Sequence, residues 1–310
     1  MKHIRTAAVL AAGFFLLAIT SSAYGQAPGA IAPAQKCADL VNFKVSGTNV
    51  QITKAEEAPT APPNTVRAGF GPETIPVAIP GFCRADGVID PRTGADGKPY
   101  AIGFEIALPD NWNGRFLFQG GGGLNGAINP PLGAQAAADN PALARGFAVV
   151  STDTGHKGAV FDPSFQKDQI AALDFDYLAV GRMTVLSKQI IAQYYGQAAK
   201  HSYYDGCSTG GREAMLMSQR YPMYFDGIVA GSPAQRTGYS GLATRAITVA
   251  LNAAAPKDAS GKPGPALSES DKKAVITKLL EECDARDGAK DGMIFDATGC
   301  TFQPRDLQCL

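Results

Sequence analysis

The sequence predicts an α/β fold, a mainly parallel sheet with helices on both faces. Three observations carry this. Short apolar strands alternate with helical patterns through the middle of the chain. Glycines punctuate the joins between them. The 310 residues are 45% hydrophobic and only 18% charged, enough apolar side chain for a large core. Lys plus Arg equals Asp plus Glu at 28 each, so the net charge is zero. That excludes a disordered polyelectrolyte and argues against a nucleic-acid binder.

The first residues read as an export signal. Lys2, His3 and Arg5 precede an uncharged apolar run, 7–19, and Ala23-Tyr24-Gly25 offers a small-x-small cleavage site before Gln26. The run is shorter than the ~20 residues that a membrane span needs, and no later run is longer. Cleavage removes two bases and no acid, leaving the chain slightly acidic. The domain reading is therefore signal peptide 1–25, then 26–234 as the main α/β body, then 235–310 as a second or inserted domain. The expected compartment is secreted or periplasmic, where disulfides persist.

Residues 26–66, rich in Ala and Pro, are expected to be an extended lead-in. Ile102, Phe104, Ile106 and Leu108 alternate and predict a half-buried strand. Residues 115–118 predict a second strand, running into Gly120–Gly123, and 147–150 a third. Met183, Leu186, Ile190 and Tyr194 recur at helical spacing and predict a helix over about 176–195, with Gly196 suited to its C-terminal cap. A strand at 202–205, a helix at about 209–220 and a strand at 226–231 follow. Beyond Ser232 a Gly/Pro/Ala-rich stretch to about Pro265 precedes one capped helix from Ser268, carrying Val275, Ile276, Leu279 and Leu280.

The most informative segment is Asp205-Gly-Cys-Ser-Thr-Gly-Gly-Arg212. It contains Gly206-x-Ser208-x-Gly210, the nucleophile-elbow pattern. The bare pattern is weak in a chain with 35 glycines; the strand before it and the helix after it strengthen it. A sharp strand-to-helix turn lifts the serine oxygen off the sheet edge, and the flanking glycines remove side chains that would clash. An oxyanion hole needs two donors. One is the N–H of Thr209, and the other belongs to the loop after an earlier strand, where Gly120–Gly123 stands. That run lacks the Gly-Lys-Ser/Thr ending of a phosphate-binding loop.

At these residues the sequence resembles the tannase/feruloyl esterase family of α/β-hydrolases, which includes mono(2-hydroxyethyl) terephthalate hydrolases. The carrying segments are 204–213, 219–222, 225–233, Trp112-Asn-Gly-Arg115, the glycine run and Ser151-Thr-Asp-Thr-Gly-His156. The resemblance implies an α/β-hydrolase with an inserted lid domain and a serine esterase acting on small esters of aromatic acids, with no organic cofactor. It assigns Ser208 as nucleophile and Gly123 and Thr209 as oxyanion donors. The family's catalytic Asp and His-Cys follow the lid, whereas here the histidines are His3, His156 and His201 and none follows Ser208. The expectation is a C-terminally truncated chain, inactive alone. His156 is expected to be a structural loop histidine and His201 a surface residue. A catalytic Cys207 is the lesser alternative to Ser208.

Asp284, Asp287 and Asp291 put three carboxylates in eight residues, the last two each followed by glycine. Spacing alone leaves a calcium loop and a solvated Asp-Gly turn pair equally open. The resemblance implies a structural calcium held by the side chains of those three and the carbonyls of Ala289 and Met293. Of six cysteines, Cys37–Cys83 and Cys283–Cys300 are the expected pairs. The resemblance leaves Cys207 and Cys309 without partners, unless the fold brings them together. A rival from another class is a non-catalytic exported protein that binds aromatic ligands on the same scaffold. An intact elbow argues against it, and the absent downstream base argues for it.

Overall fold

The computed structural model describes residues 29–68, 72–135 and 138–308. The expected export signal and Cys309 lie outside them. The chain divides into two compact units, Met1–Ala234 and Gln235–Leu310.

In the first unit, seven strands form one sheet among the described residues: β1 Val50–Ala58, β2 Phe82–Thr93, β3 Pro99–Pro109, β4 Arg115–Gln119, β5 Ala148–Thr152, β6 His201–Cys207 and β7 Gly227–Gly231. Their order is β1-β2-β3-β5-β4-β6-β7. The first three pair antiparallel, as do β3 and β5. From β5 across β4 and β6 to β7 every pairing is parallel. β5 is buried along its whole length, as a parallel strand covered on both faces should be. The helices are α1 Gln169–Leu173, α2 Ala179–Tyr195 and α3 Thr209–Arg220. Phe104, Ile106, Phe116, Phe118, Val150, Met183 and Ile190 share one core. Trp112 stacks on Tyr195 at 4.2 Å and donates its indole N–H to the Arg115 carbonyl.

Several expectations change. The lead-in is not simply extended, because it contains a 3-10 turn, Cys37–Asn42, and β1. Strand β1 buries Val50 and Ile52 and then exposes Lys54, Glu56 and other residues, so its alternation fades after two apolar positions. The helix expected from 176 begins as a π turn, Asp174–Leu178, running into α2. It ends as expected at Gly196, whose φ of 69° is the left-handed cap. Cys37 is joined to Cys83 and Cys283 to Cys300, with Cα separations of 5.4 and 5.2 Å.

Within the Gly/Pro/Ala-rich stretch that runs from beyond Ser232 to about Pro265, the second unit has regular structure that the sequence reading did not assign. An 18-residue helix, α4 Thr237–Ala254, runs through it. Its small residues and its lack of any buried position hide the helical period. The capped helix appears as α5 Glu269–Cys283, with a complete capping box between Ser268 and Asp271.

Candidate active site

Strand β6 ends at Cys207 and α3 begins at Thr209, so the chain turns at a single residue, Ser208. Its φ of 59° and ψ of −117° are unfavourable for any residue with a Cβ. The surroundings hold it there. The Ser208 N–H donates to the Gly231 carbonyl, and its own carbonyl accepts from Arg212 and Ala234. Ser208 is exposed, while Thr209 and Gly210 behind it are buried. The glycines permit close approach: a Cβ at Gly206 would stand 2.5 Å from the backbone of Gly210, and one at Gly210 would stand 2.8 Å from the Gly121 carbonyl.

The glycine loop after β4 lies directly against this turn. Gly120 donates to the Asp205 carbonyl and Gly210 donates to the Gly121 carbonyl. The Thr209 hydroxyl donates to the carbonyl of Gly123, which has a φ of 61°. Gln135 bridges the same pieces, donating to the Gly120 carbonyl and accepting from the Cys207 N–H. It also lines a cavity of about 330 Å³ with Arg67, Gln119 and Leu132. Sequence reasoning missed Gln135, because nothing local marks a loop glutamine that reaches across 72 residues.

The three parts expected near one another, Ser208, Thr209 and Gly123, are therefore brought together. His201 is not with them. It opens β6 with its side chain exposed, 3.9 Å from Asp226, and stands seven positions before Ser208, roughly 23 Å away along the strand. His156 is buried and stacks on Phe165 at 3.7 Å. Burial lowers its pKa, against backbone contacts at Leu124 and Thr154 that raise it. Cys207 is exposed and unpaired among the described residues.

Near His156, Asp153 follows directly on β5. Its Oδ1 accepts N–H groups from Gly103 and Gly155, and its Oδ2 has no partner among the described residues. Burial pushes this carboxyl up to about 7, against those two N–H groups and Lys157, which pull it down.

In the second unit the aspartates of the expected calcium loop turn onto their own backbone. Asp284 accepts from Asp291 and Gly292, Asp287 from Ala289 and Phe295, and Asp291 from Met293. Among the described residues no three His, Cys, Asp or Glu side chains come together closely enough to hold a metal ion. The loop as it stands therefore lacks the converging carboxylates expected of it.

Sheet order, strained serine turn and bracing glycine loop define the α/β-hydrolase class. Residues 83–310 match the family described as tannase and feruloyl esterase. The chain belongs to that family. It is 39% identical over 240 residues to the mono(2-hydroxyethyl) terephthalate hydrolase of Piscinibacter sakaiensis, covering 73% of this chain and 40% of that protein. It is 37% identical over 206 residues to the "Probable feruloyl esterase B-2" of Aspergillus flavus, covering 66% and 37%. The crystal structure of feruloyl esterase B from Aspergillus oryzae superposes with a TM-score of 0.66 at 30% identity, over 88% of this chain and 50% of that one. The chain thus spans half or less of the length of these relatives.

Proposed function

We propose that this chain carries the nucleophile and oxyanion hole of an exported serine esterase acting on small esters of aromatic or phenolic acids. The observation that carries the reading is Ser208, exposed on a strained turn with the glycine loop held against it. The Ser208 Oγ attacks the ester carbonyl carbon, and the carbonyl oxygen becomes an oxyanion held by the N–H groups of Gly123 and Thr209. The N-terminal end of α3 favours the same negative charge. A histidine takes the serine proton and returns it to the leaving alcohol, and water then cleaves the acyl-enzyme. Neither His201 nor His156 is placed to serve as that base. His201 is at the far end of β6, and the His156 ring is packed among Phe165 and Phe175. Relatives named as a terephthalate half-ester hydrolase and as feruloyl esterases support the aromatic acyl group.

Two disulfides support export. Among the described residues no helix is long and apolar enough to cross a membrane. Calcium remains a proposal for the disulfide-closed loop. The side chains of Asp284, Asp287 and Asp291 and the carbonyls of Ala289 and Met293 would hold it, after the carboxylates swing off the backbone. Its role would be to order the loop. Added calcium should then raise the unfolding temperature and a chelator should lower it; no response to either removes the site.

The test of the main reading is Ser208→Ala in the enzyme that carries this sequence together with its histidine. Turnover of an aryl ester should vanish. Undiminished turnover removes Ser208 as nucleophile. Saturable binding of a phenolic acid by wild type that turns over no ester favours the binding-protein alternative. Serine-dependent turnover by residues 1–310 alone returns His156 as the candidate base.

A further inference from the structure

The glycine loop and the elbow are joined by a buried carboxylate that the mechanism above does not use. Glu213 sits on α3, five residues past Ser208, and is only 1% exposed. Its Oε2 accepts the Tyr204 hydroxyl at 2.7 Å and the Gly121 N–H at 3.3 Å. Its Oε1 accepts the Asn125 amide at 2.6 Å. Gly120 leaves room for this, because a Cβ there would stand 2.5 Å from the Tyr204 hydroxyl oxygen. Burial pushes the Glu213 carboxyl up, and the bonds from Tyr204, Asn125 and Gly121 together with the Arg212 charge oppose the rise.

Gly121 and Asn125 bound a short loop segment, whose last four residues form a tight turn closed by the Asn125 N–H donating to the Gly122 carbonyl. Gly123 lies inside that turn. The two oxyanion donors stand on different elements, Thr209 on α3 and Gly123 on the loop. Glu213 is rooted on the first and grips both ends of the second. We propose that Glu213 is a positioning residue that fixes the Gly121–Asn125 segment against α3, so that the N–H groups of Gly123 and Thr209 converge on one point. This inference rests on the reading of Ser208, Gly123 and Thr209 given above. The bond pattern, and not the charge, is what acts. A glutamine can keep its oxygen on Tyr204 and Gly121. Its amide nitrogen can donate to the Asn125 Oδ1, which has no partner among the described residues, if the Asn125 amide turns over.

The test compares Glu213→Gln, Glu213→Leu, Asn125→Ala and the Glu213→Leu/Asn125→Ala pair in the full-length enzyme with an aryl ester. Removing one oxyanion donor outright typically costs about 10²–10³ in kcat, so misaligning one should cost about 10–100-fold. Glu213→Leu should lower kcat by that amount with KM within twofold. Asn125→Ala should lower kcat less, and the pair should lose no more than Glu213→Leu alone. Glu213→Gln should stay within threefold of wild type. Phenylboronic acid, which forms a tetrahedral adduct on serine, should bind more weakly in proportion to kcat/KM.

Amide exchange gives a readout that needs no turnover. In Glu213→Leu, residues 120–125 should exchange faster while the rest of the sheet stays protected. Unchanged exchange at 120–125 overturns the bracing role even if Ser208 proves not to be a nucleophile. Faster exchange with unchanged kcat overturns the catalytic consequence. Glutamine as damaging as leucine overturns the bond pattern. If Glu213→Leu does not fold, Asn125→Ala carries the same two readouts, with Glu213→Gln as the control that should match wild type. Loss of activity in Ser208→Ala tests the underlying reading separately.

Discussion

The two units make their structure in opposite ways. The first buries large apolar side chains on both faces of a sheet, and its turns are held by backbone bonds between segments far apart in sequence. The second buries little of its own. Ala255, Cys283 and Asp284 are its buried residues among those described, while Tyr239, Leu242, Ile247 and Val249 on α4 are 60–76% exposed. A disulfide, a capping box and Asp turns do there what a core does in the first unit. A packed unit tolerates no added atom at its close approaches, whereas a stapled one should fail when a staple is removed.

The sharpest way to break that contrast is Gly206→Ala. The new Cβ would meet Gly210 backbone at 2.5 Å, and backbone cannot swing aside as a flexible side chain can. Overpacking of this kind costs about 1–3 kcal/mol or more. The elbow should shift and esterase turnover should fall at least as far as the unfolding temperature suggests. A folded variant with wild-type turnover would mean that the elbow is loosely packed.

In the second unit the corresponding change is Cys283→Ser with Cys300→Ser. A crosslink closing a short loop typically contributes about 2–4 kcal/mol. Amides of 269–308 should lose protection, while those of β4, β5 and β6 keep theirs. Loss of protection spread evenly over both units would show that they unfold as one, and the contrast would fall.

A smaller effect separates the units by pH. Asp153 has its carboxyl raised from the ordinary 3.8 to about 7, chiefly by burial. The folded state therefore binds its proton more tightly than the unfolded chain does. Stability from this group is fully present below about pH 4 and is lost as pH rises through about 7. Burial raises Asp174 to about 6 and Glu105 to about 7, which adds in the same direction. Asp168 runs the other way. The Arg92 guanidinium and the Ala171 N–H hold it well below the usual carboxylate range, so its contribution is lost only in stronger acid. Acidifying from pH 8 to 5 should raise the unfolding temperature of the first unit. Asp153→Asn keeps an oxygen for Gly103 and Gly155 and should flatten that rise; an unchanged slope would acquit Asp153.

What the sequence showed follows the same division. Strand β3 was legible from its alternation, β4 and β5 from the continuous apolar runs that buried strands write, and the elbow because its chemistry demands glycines. Strand β1 was not, since an edge strand with Lys54 and Glu56 exposed carries half a pattern. Helix α4 was not, since a helix with no buried position leaves no period to read. Gln135 and Glu213 were invisible as site residues, because their importance lies in partners 72 and 92 positions away.

The smallest effect probes a single cap. Ser268 accepts the Asp271 N–H, and Asp271 in turn accepts the Ser268 N–H, satisfying two donors at the start of α5. Ser268→Ala removes one of these bonds and should cost about 1 kcal/mol. The Asp271 carboxyl, held down chiefly by its bonds to the Ser268 side chain and N–H, should move back up toward its ordinary value, a shift visible by NMR titration. In the first unit a loss of this size would be absorbed by the core around the altered residue. In the second, α5 is anchored chiefly at its far end by Cys283, so fraying should start at 268 and stop short of the disulfide. Faster exchange confined to the first turns of α5 supports that account. Exchange rising evenly through to Cys283 would show that α5 opens as one cooperative piece, with the cap and the disulfide acting on the same event.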